Sequence, residues 1–155
     1  MVDVRMHLTR DWLSAMRRYV FAVAIGNAVW EAAQLPFYTL WESGTSREIA
    51  FAVLHCTGGD ILIASAALLG ALLFVGGPDW PRAHAKCTAF VSISAGLGYS
   101  IFSEFWNTEV QKTWAYSHLM PVLPGLRIGL TPLLQWLVVP PLALLWAIRP
   151  PRARA

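Results

Sequence analysis

Positive charge is missing from the four longest apolar stretches of this 155-residue chain: none of them contains a Lys or an Arg. Three do contain an acid, Glu31, Asp60 and Glu104, with no cation in the same stretch to neutralise it. A carboxyl group in hydrocarbon is costly unless it is protonated, paired or bound to a cation, so such acids are functional candidates by default. Charge is scarce everywhere, at 14% of residues against 56% hydrophobic, with a mean hydropathy of +0.49, which excludes an ordinary soluble domain. Cysteine is nearly absent too. Cys56 lies within the second apolar stretch and Cys87 opens the third, which places them at opposite membrane faces and excludes a disulfide between them. The chain shows no internal repeat, and no small-residue cleavage site marks a signal peptide, so the first stretch is expected to remain in the mature protein. The net charge of +3 comes from basic residues gathered at the ends and in one loop; these read as topology signals, not as a nucleic-acid surface.

What is present is enough apolar helix to cross a bilayer four times. A hydrocarbon core about 30 Å thick needs roughly 20 residues of helix, and the stretches at about 19–41, 49–75, 87–106 and 128–148 meet that length. The expected fold is therefore all-α: an integral membrane four-helix transmembrane bundle over 19–148, preceded by a surface segment at 1–18 and followed by a basic tail at 149–155. Residues 1–18 would form a short amphipathic surface helix through Met6, Leu8, Trp12, Leu13 and Met16. Breakers separate the spans: Glu42 to Ser46, then Gly76-Gly77-Pro78-Asp79-Trp80-Pro81, then a link from Asn107 to Arg127 that is long enough to be structured. Nine of the twelve basic residues flank the first span's start, the second link and the last span's end; Arg47, Lys112 and Arg127 lie opposite. The positive-inside rule then puts both termini in the cytoplasm, and a bacterial inner membrane is the expected location.

With that orientation the intramembrane polar residues fall at one depth, in the outer half of the bilayer: Glu31, His55, Asp60, Glu104 and Gln135, by the ~1.5 Å rise per residue of a helix. Shared depth is a sign that they line one cavity. Helical spacing points the same way, since Asn27, Glu31, Gln34 and Tyr38 follow i, i+4, i+7, i+11 on one stripe, with Trp30 beside it. Ser100, Ser103, Glu104 and Asn107 form a similar face in the third span. In the fourth, Thr131 and Gln135 stand one turn apart above a break expected at Pro140-Pro141. His55 and Asp60, five residues apart, diverge by about 140° on an ideal helix, so only one of them points straight inward unless Gly58-Gly59 unwinds. Trp114, Tyr116, His118, Met120 and Pro121 lie directly above as a lid or an aromatic anchor. Trp41, Trp80, Trp106 and Trp146, near span ends, read as belt residues at the headgroup layer.

Three acids in a poorly hydrated pocket cannot all ionise, so a proton donor and a proton acceptor coexist there. Trp30, Trp114 or Trp136 would offer a π face to a developing cation. Such a site suits proton shuffling on an apolar substrate that enters from the lipid, for example moving a carbon–carbon double bond in a sterol, hopanoid or isoprenoid. Asn27-xxx-Glu31 with Tyr38 beyond, the acid of the second span, Gly98-Tyr99 followed by Glu104, and Gln135-Trp136 before Pro140 resemble the emopamil-binding-protein (EXPERA) family of sterol isomerases. That family has His where this chain has Asn27, Asn near the position of Gln135, and one more span. The resemblance implies a membrane-embedded isomerase with Glu31, Asp60, Glu104 and His55 as catalytic candidates. Asn27, Trp30, Gln34 and Tyr38 from the first span, and Asn107, Trp114, Tyr116, Gln135 and Trp136 from the rest, are the expected substrate contacts. No cofactor or resident metal is expected, and the partner is a membrane lipid or other apolar small molecule, with a homo-oligomer as a further expectation. Other readings of the acids are a cation held by Glu31, His55, Asp60 and Glu104, a proton-coupled carrier, and a structural subunit of a membrane complex. The chain has neither HExxH nor a Glu-xx-His pair to favour the first.

Overall fold

The computed structural model describes the backbone of residues 2–149 and the side chains of residues 11–149. The Met6 and Leu8 side chains, and the basic tail beyond Arg149, lie outside the described residues. All regular structure within them is helical, with two isolated backbone bridges joining loops, Tyr38 to Tyr116 and Val122 to Gly129.

Helix α1 (Val2–Gln34) is followed by a tight 3-10 turn, Leu35–Phe37, because Pro36 has no N–H to continue the α-helical ladder. A single turn, α2 (Leu40–Ser43), leads into α3 (Ser46–Val75). A reciprocal cap starts α3: Glu48 N donates to Thr45 Oγ1 at 3.3 Å, and Thr45 N donates to Glu48 Oε2 at 2.8 Å. It stops where Gly76-Gly77-Pro78 removes helix-forming residues. Helix α4 (Ala85–Phe105) runs into a wide π-type turn at Trp106–Val110, and α5 (Leu130–Ala147) closes the fold.

The four long helices run up and down in turn. α1 packs against α3 and α5, and α4 packs against the same two. One end of the molecule holds the start of α1, the α3–α4 link and the end of α5. There Arg18 Nη1 donates to Arg149 O at 2.8 Å, Arg82 pairs with Asp11, and Trp12 meets Trp80 edge-on at 6.1 Å. At the far end, the two remaining links zip together: Thr39 N donates to Ala115 O at 3.0 Å, Ser117 N to Phe37 O at 2.9 Å and Ser117 Oγ to Pro36 O at 2.8 Å.

Three helical segments are long and apolar enough to cross a membrane, Asp11–Phe37, Ser46–Val75 and Leu130–Ala147. α4 is 21 residues long but carries Thr88, Ser92, Gly96, Ser100 and Glu104 at four-residue intervals, all of them buried, which dilutes its hydropathy. Its outward side shows Phe90, Tyr99, Phe102 and Phe105. The same pattern recurs on the other helices, alongside an apolar core that includes Tyr19, Val23, Leu68 and Trp80. Leu54, Leu62, Leu73 and Phe74 are exposed, whereas Asn27, Glu31, Gln34, Glu104 and Gln135 are buried. Apolar side chains outward and polar ones inward is the arrangement a hydrocarbon solvent favours, and the reverse of what water selects.

Several elements differ from the sequence expectation, each for a local reason. α1 has no break at position 18: the helix is continuous from Val2, and within it Ala15 and Tyr19 are buried in the core with Trp12 and Met16 packed on it, so residues 12–19 contribute to helix packing. The first span's helix ends at Gln34, earlier than 41, because Pro36 interrupts it. Pro140 and Pro141 do not break α5, which continues through both. By the i−4 rule they free only the carbonyls of Trp136 and Leu137. Gly58-Gly59 leaves α3 unbroken as well. Trp80 is in the core rather than in an interfacial belt, while Trp41, Trp106 and Trp146 are exposed.

Candidate functional site: an acid-lined cavity

Near the far end the long helices enclose a cavity of about 360 Å³. Its shape follows from the α3–α4 contact. In the half nearer the termini, Ala64, Leu68 and Ala71 of α3 are buried, as are Thr88, Ser92 and Gly96 of α4. In the other half Gly59 lines the cavity, and a Cβ there would meet no atom within 4 Å. The floor is Trp136, whose indole lies directly on Gly96; a Cβ there would come within 2.0 Å of Trp136 Cζ3, so only glycine admits the ring.

Gln135 joins the acids of two helices. Its Nε2 lies 3.0 Å from Glu31 Oε1, 2.7 Å from Asp60 Oδ2 and 3.2 Å from Asn27 Oδ1. Gln34 Nε2 donates to the same Glu31 oxygen at 2.9 Å. Two N–H hydrogens on Gln135 cannot serve three oxygens singly, so the amide is shared among Glu31, Asp60 and Asn27. On α4, Glu104 accepts from the Tyr116 hydroxyl, which in turn accepts from Gly129 N at 2.9 Å. Burial, and then the Glu104 carboxyl beside it, holds the Tyr116 phenol well above its usual range, so it stays a donor.

Of the residues singled out from sequence, Glu31, Gln34, Tyr38, His55, Asp60, Glu104, Asn107, Trp114, Gln135 and Trp136 line this one cavity. Asn27 lies one turn below it and reaches it through Gln135. Tyr116 lies behind the lining and acts on it through Glu104. Trp30 does not line it, since its stripe position turns the indole aside. His55 is exposed and stacked on Phe51 at 5.5 Å, at the rim and outside the hydrogen-bonded network: Asp60 takes the inward position, as the angular offset between the two requires. Asn107 holds the lid, donating to Ser103 O at 2.8 Å and accepting from Thr113 Oγ1 at 2.9 Å. His118 is exposed and Met120 buried against Thr131.

Cys56, read as a small apolar residue, also faces the cavity; its place one turn before Asp60 is the signal that identifies it. Tyr99, 48% exposed, lines the cavity from α4 and gives it an edge on the outer surface. Among the described residues no group of three or more His, Cys, Asp or Glu side chains is disposed to hold a metal ion. No family model matches the chain, and no curated protein or solved structure does so either.

Proposed function

We propose that the chain is a membrane-embedded acid–base isomerase that moves a carbon–carbon double bond in a lipid-soluble substrate, the reaction class implied by the resemblance to the EXPERA family. In this reading the four long helices form a closed four-helix transmembrane bundle. α4 is the fourth span despite its polar inward face, and both termini lie in the cytoplasm, by the positive-inside rule. A bacterial inner membrane is the proposed location, and the walls of the site come from one chain, so no second copy is needed. The observation that carries the proposal is the meeting of Glu31 and Asp60 on the Gln135 amide, facing Glu104 across an apolar cavity.

The step balances without an oxidant, reductant or co-substrate. A carboxyl group adds its proton to one carbon of the double bond, leaving a carbocation beside it. A carboxylate then removes a proton from the carbon next to the cation, and the new double bond forms one position along. One acid ends protonated and another deprotonated, and exchange within the set restores the start. Trp136 and Trp114 would shield the cation with their rings.

Such a reaction leaves the same isotopic mark on any lipid it acts on. Purified protein in lipid nanodiscs, incubated in heavy water with a total lipid extract, is expected to place deuterium on carbon in a neutral lipid. Glu31→Gln and Asp60→Asn should abolish that incorporation while the thermal unfolding midpoint stays within a few degrees. Deuterium incorporation that persists in both variants, or none at all with the unaltered protein, would overturn the reading.

A further inference from the structure

Of the residues that line the cavity, only His55 of α3 and Tyr99 of α4 are exposed on the outer surface. Every lining residue from α1 and α5 is buried, the paired links form the roof, and Trp136 on Gly96 forms the floor. Helix geometry brings the two exposed residues to one seam. His55 precedes the inward-facing Asp60 by five residues and Tyr99 precedes Glu104 by five, so each lies about 140° around its helix from the acid. Gly26 stands at the same offset before Glu31 on α1, and it lies against α5, since a Cβ there would be 2.7 Å from Val139 Cγ1. The four long helices form a ring in the order α1, α3, α4, α5, running up and down in turn. α4 runs in the direction of α1 from the opposite corner, so the turn that carries Gly26 to α5 carries Tyr99 towards α3. On α3, which runs the other way, the same turn carries His55 towards α4. Each of these rings also packs on an aromatic of its own helix nearer the far end, His55 on Phe51 at 5.5 Å and Tyr99 on Phe102 at 6.3 Å. One turn below His55, Gly59 leaves the α3 side without a side chain.

We infer that the cavity opens sideways into the bilayer between α3 and α4, at a mouth framed by His55 and Tyr99, and that its guest is a neutral lipid taken from the hydrocarbon layer and not a solute from water. This rests on the proposed isomerase reading for the membrane placement and for what the acids do to the guest, but not for where the mouth lies. His55 stands nine residues into α3 and Tyr99 six before the end of α4, about 14 Å and 9 Å from the far end at the ~1.5 Å rise per residue. In a hydrocarbon core about 30 Å thick, that depth faces lipid chains and not head groups. Leu54 and Phe102, exposed beside the mouth, continue the apolar surface up to it. A charged head group is held at the interface by the cost of leaving water, whereas a neutral lipid reaches this depth whole. The lining carries Glu31, Asp60 and Glu104 with no Lys or Arg, which turns away an anionic guest in addition.

Photolabelling of the full chain in nanodiscs, with the labelled residues mapped by mass spectrometry, tests this. The probes are hexadecane with a mid-chain diazirine, a phosphatidylcholine with the same group in mid-chain, and a water-soluble diazirinyl glucoside. The hexadecane should label Ser100 and Glu104, buried on the cavity wall, as well as Leu73 and Phe74, which face lipid at the other end of α3. The phosphatidylcholine should label Leu73 and Phe74 alone, and the glucoside none of the four. Gly59→Phe places a ring where a Cβ meets open space, and should abolish the cavity label while sparing Leu73 and Phe74. Tyr99→Ala should raise the cavity label, and Tyr116→Phe, which loosens the lid, should leave it unchanged. Cavity label is expressed relative to Leu73 and Phe74 within each variant, so partial loss of folded protein does not alter the comparison. Cavity labelling by the glucoside, none by the hexadecane, or a rise in Tyr116→Phe with no response to Tyr99→Ala would overturn the sideways mouth. Cavity labelling by the phosphatidylcholine as strong as by the hexadecane would overturn the neutral guest. If the hexadecane enters as expected but no deuterium is placed in lipid, the mouth stands and the isomerase reading falls.

Discussion

At the level of single residues, the cavity depends on a few close approaches that substitution can test one at a time. Gly96 is filled by the Trp136 ring, so Gly96→Ala must displace the indole and should lower stability by about 1–3 kcal/mol, read as a lower unfolding midpoint in detergent. Gly58, with open space around its Cα, should accept alanine with no loss or a gain of up to about 1 kcal/mol. Equal costs at the two positions would show that Trp136 does not form the floor. Spacing and depth made Glu31, Gln34, Asp60, Glu104 and Gln135 legible in the sequence, because an apolar helix leaves polar side chains few directions to face. The same reasoning set Trp30 in the pocket and gave His55 a part equal to that of Asp60, since position on a stripe says which way a residue points but not which rotamer or neighbour it finds. Cys56 was lost in the other direction: a thiol carries no polarity signal, and only its turn-spacing from Asp60 betrays it.

Among the elements, two links hold the far end closed. Thr45 and Glu48 start α3 with a reciprocal cap, and Thr45→Ala should cost about 1 kcal/mol, with faster amide exchange in the first turn of α3 as the local readout. Tyr116 ties the lid to both Glu104 and Gly129, so Tyr116→Phe removes both bonds while preserving the ring's contact with Tyr38 at 5.6 Å. The expected outcome is a lid that opens more readily, seen as increased proteolysis between Gln111 and Leu126; unchanged proteolysis would mean that the backbone pairing of the links suffices. The extent of the helices was largely legible, since apolar length and Gly-Pro punctuation set their ends. Two signals misled. Pro36 ended α1 early although the apolar run continues to Trp41, whereas Pro140-Pro141, a stronger breaker by the same rule, left α5 whole. Local sequence cannot distinguish these cases, because the difference lies in what surrounds the freed carbonyls.

For the molecule as a unit, an apolar exterior around an interior that holds buried acids and amides is the feature from which membrane residence follows, and three helices have the length and composition to cross. The proposed topology has a direct test in a Cys56→Ser background. A membrane-impermeant maleimide should reach Cys87, exposed at the start of α4, from the cytoplasmic side only, and a Thr113→Cys variant that also carries Cys87→Ser from the opposite side only. The reverse pattern would invert the protein and place the acid-lined cavity in the inner half of the bilayer. In the proposed reading, whatever the orientation, function turns on Glu31 and Asp60, from different helices, meeting on Gln135. A double-mutant cycle measures that unit directly. Asp60→Leu and Gln135→Leu are made singly and together, and stability is compared by unfolding in detergent. A shared network predicts that the double variant departs from the sum of the singles by about 0.5–3 kcal/mol; strict additivity would show that these side chains stand apart, and would contradict the site as described.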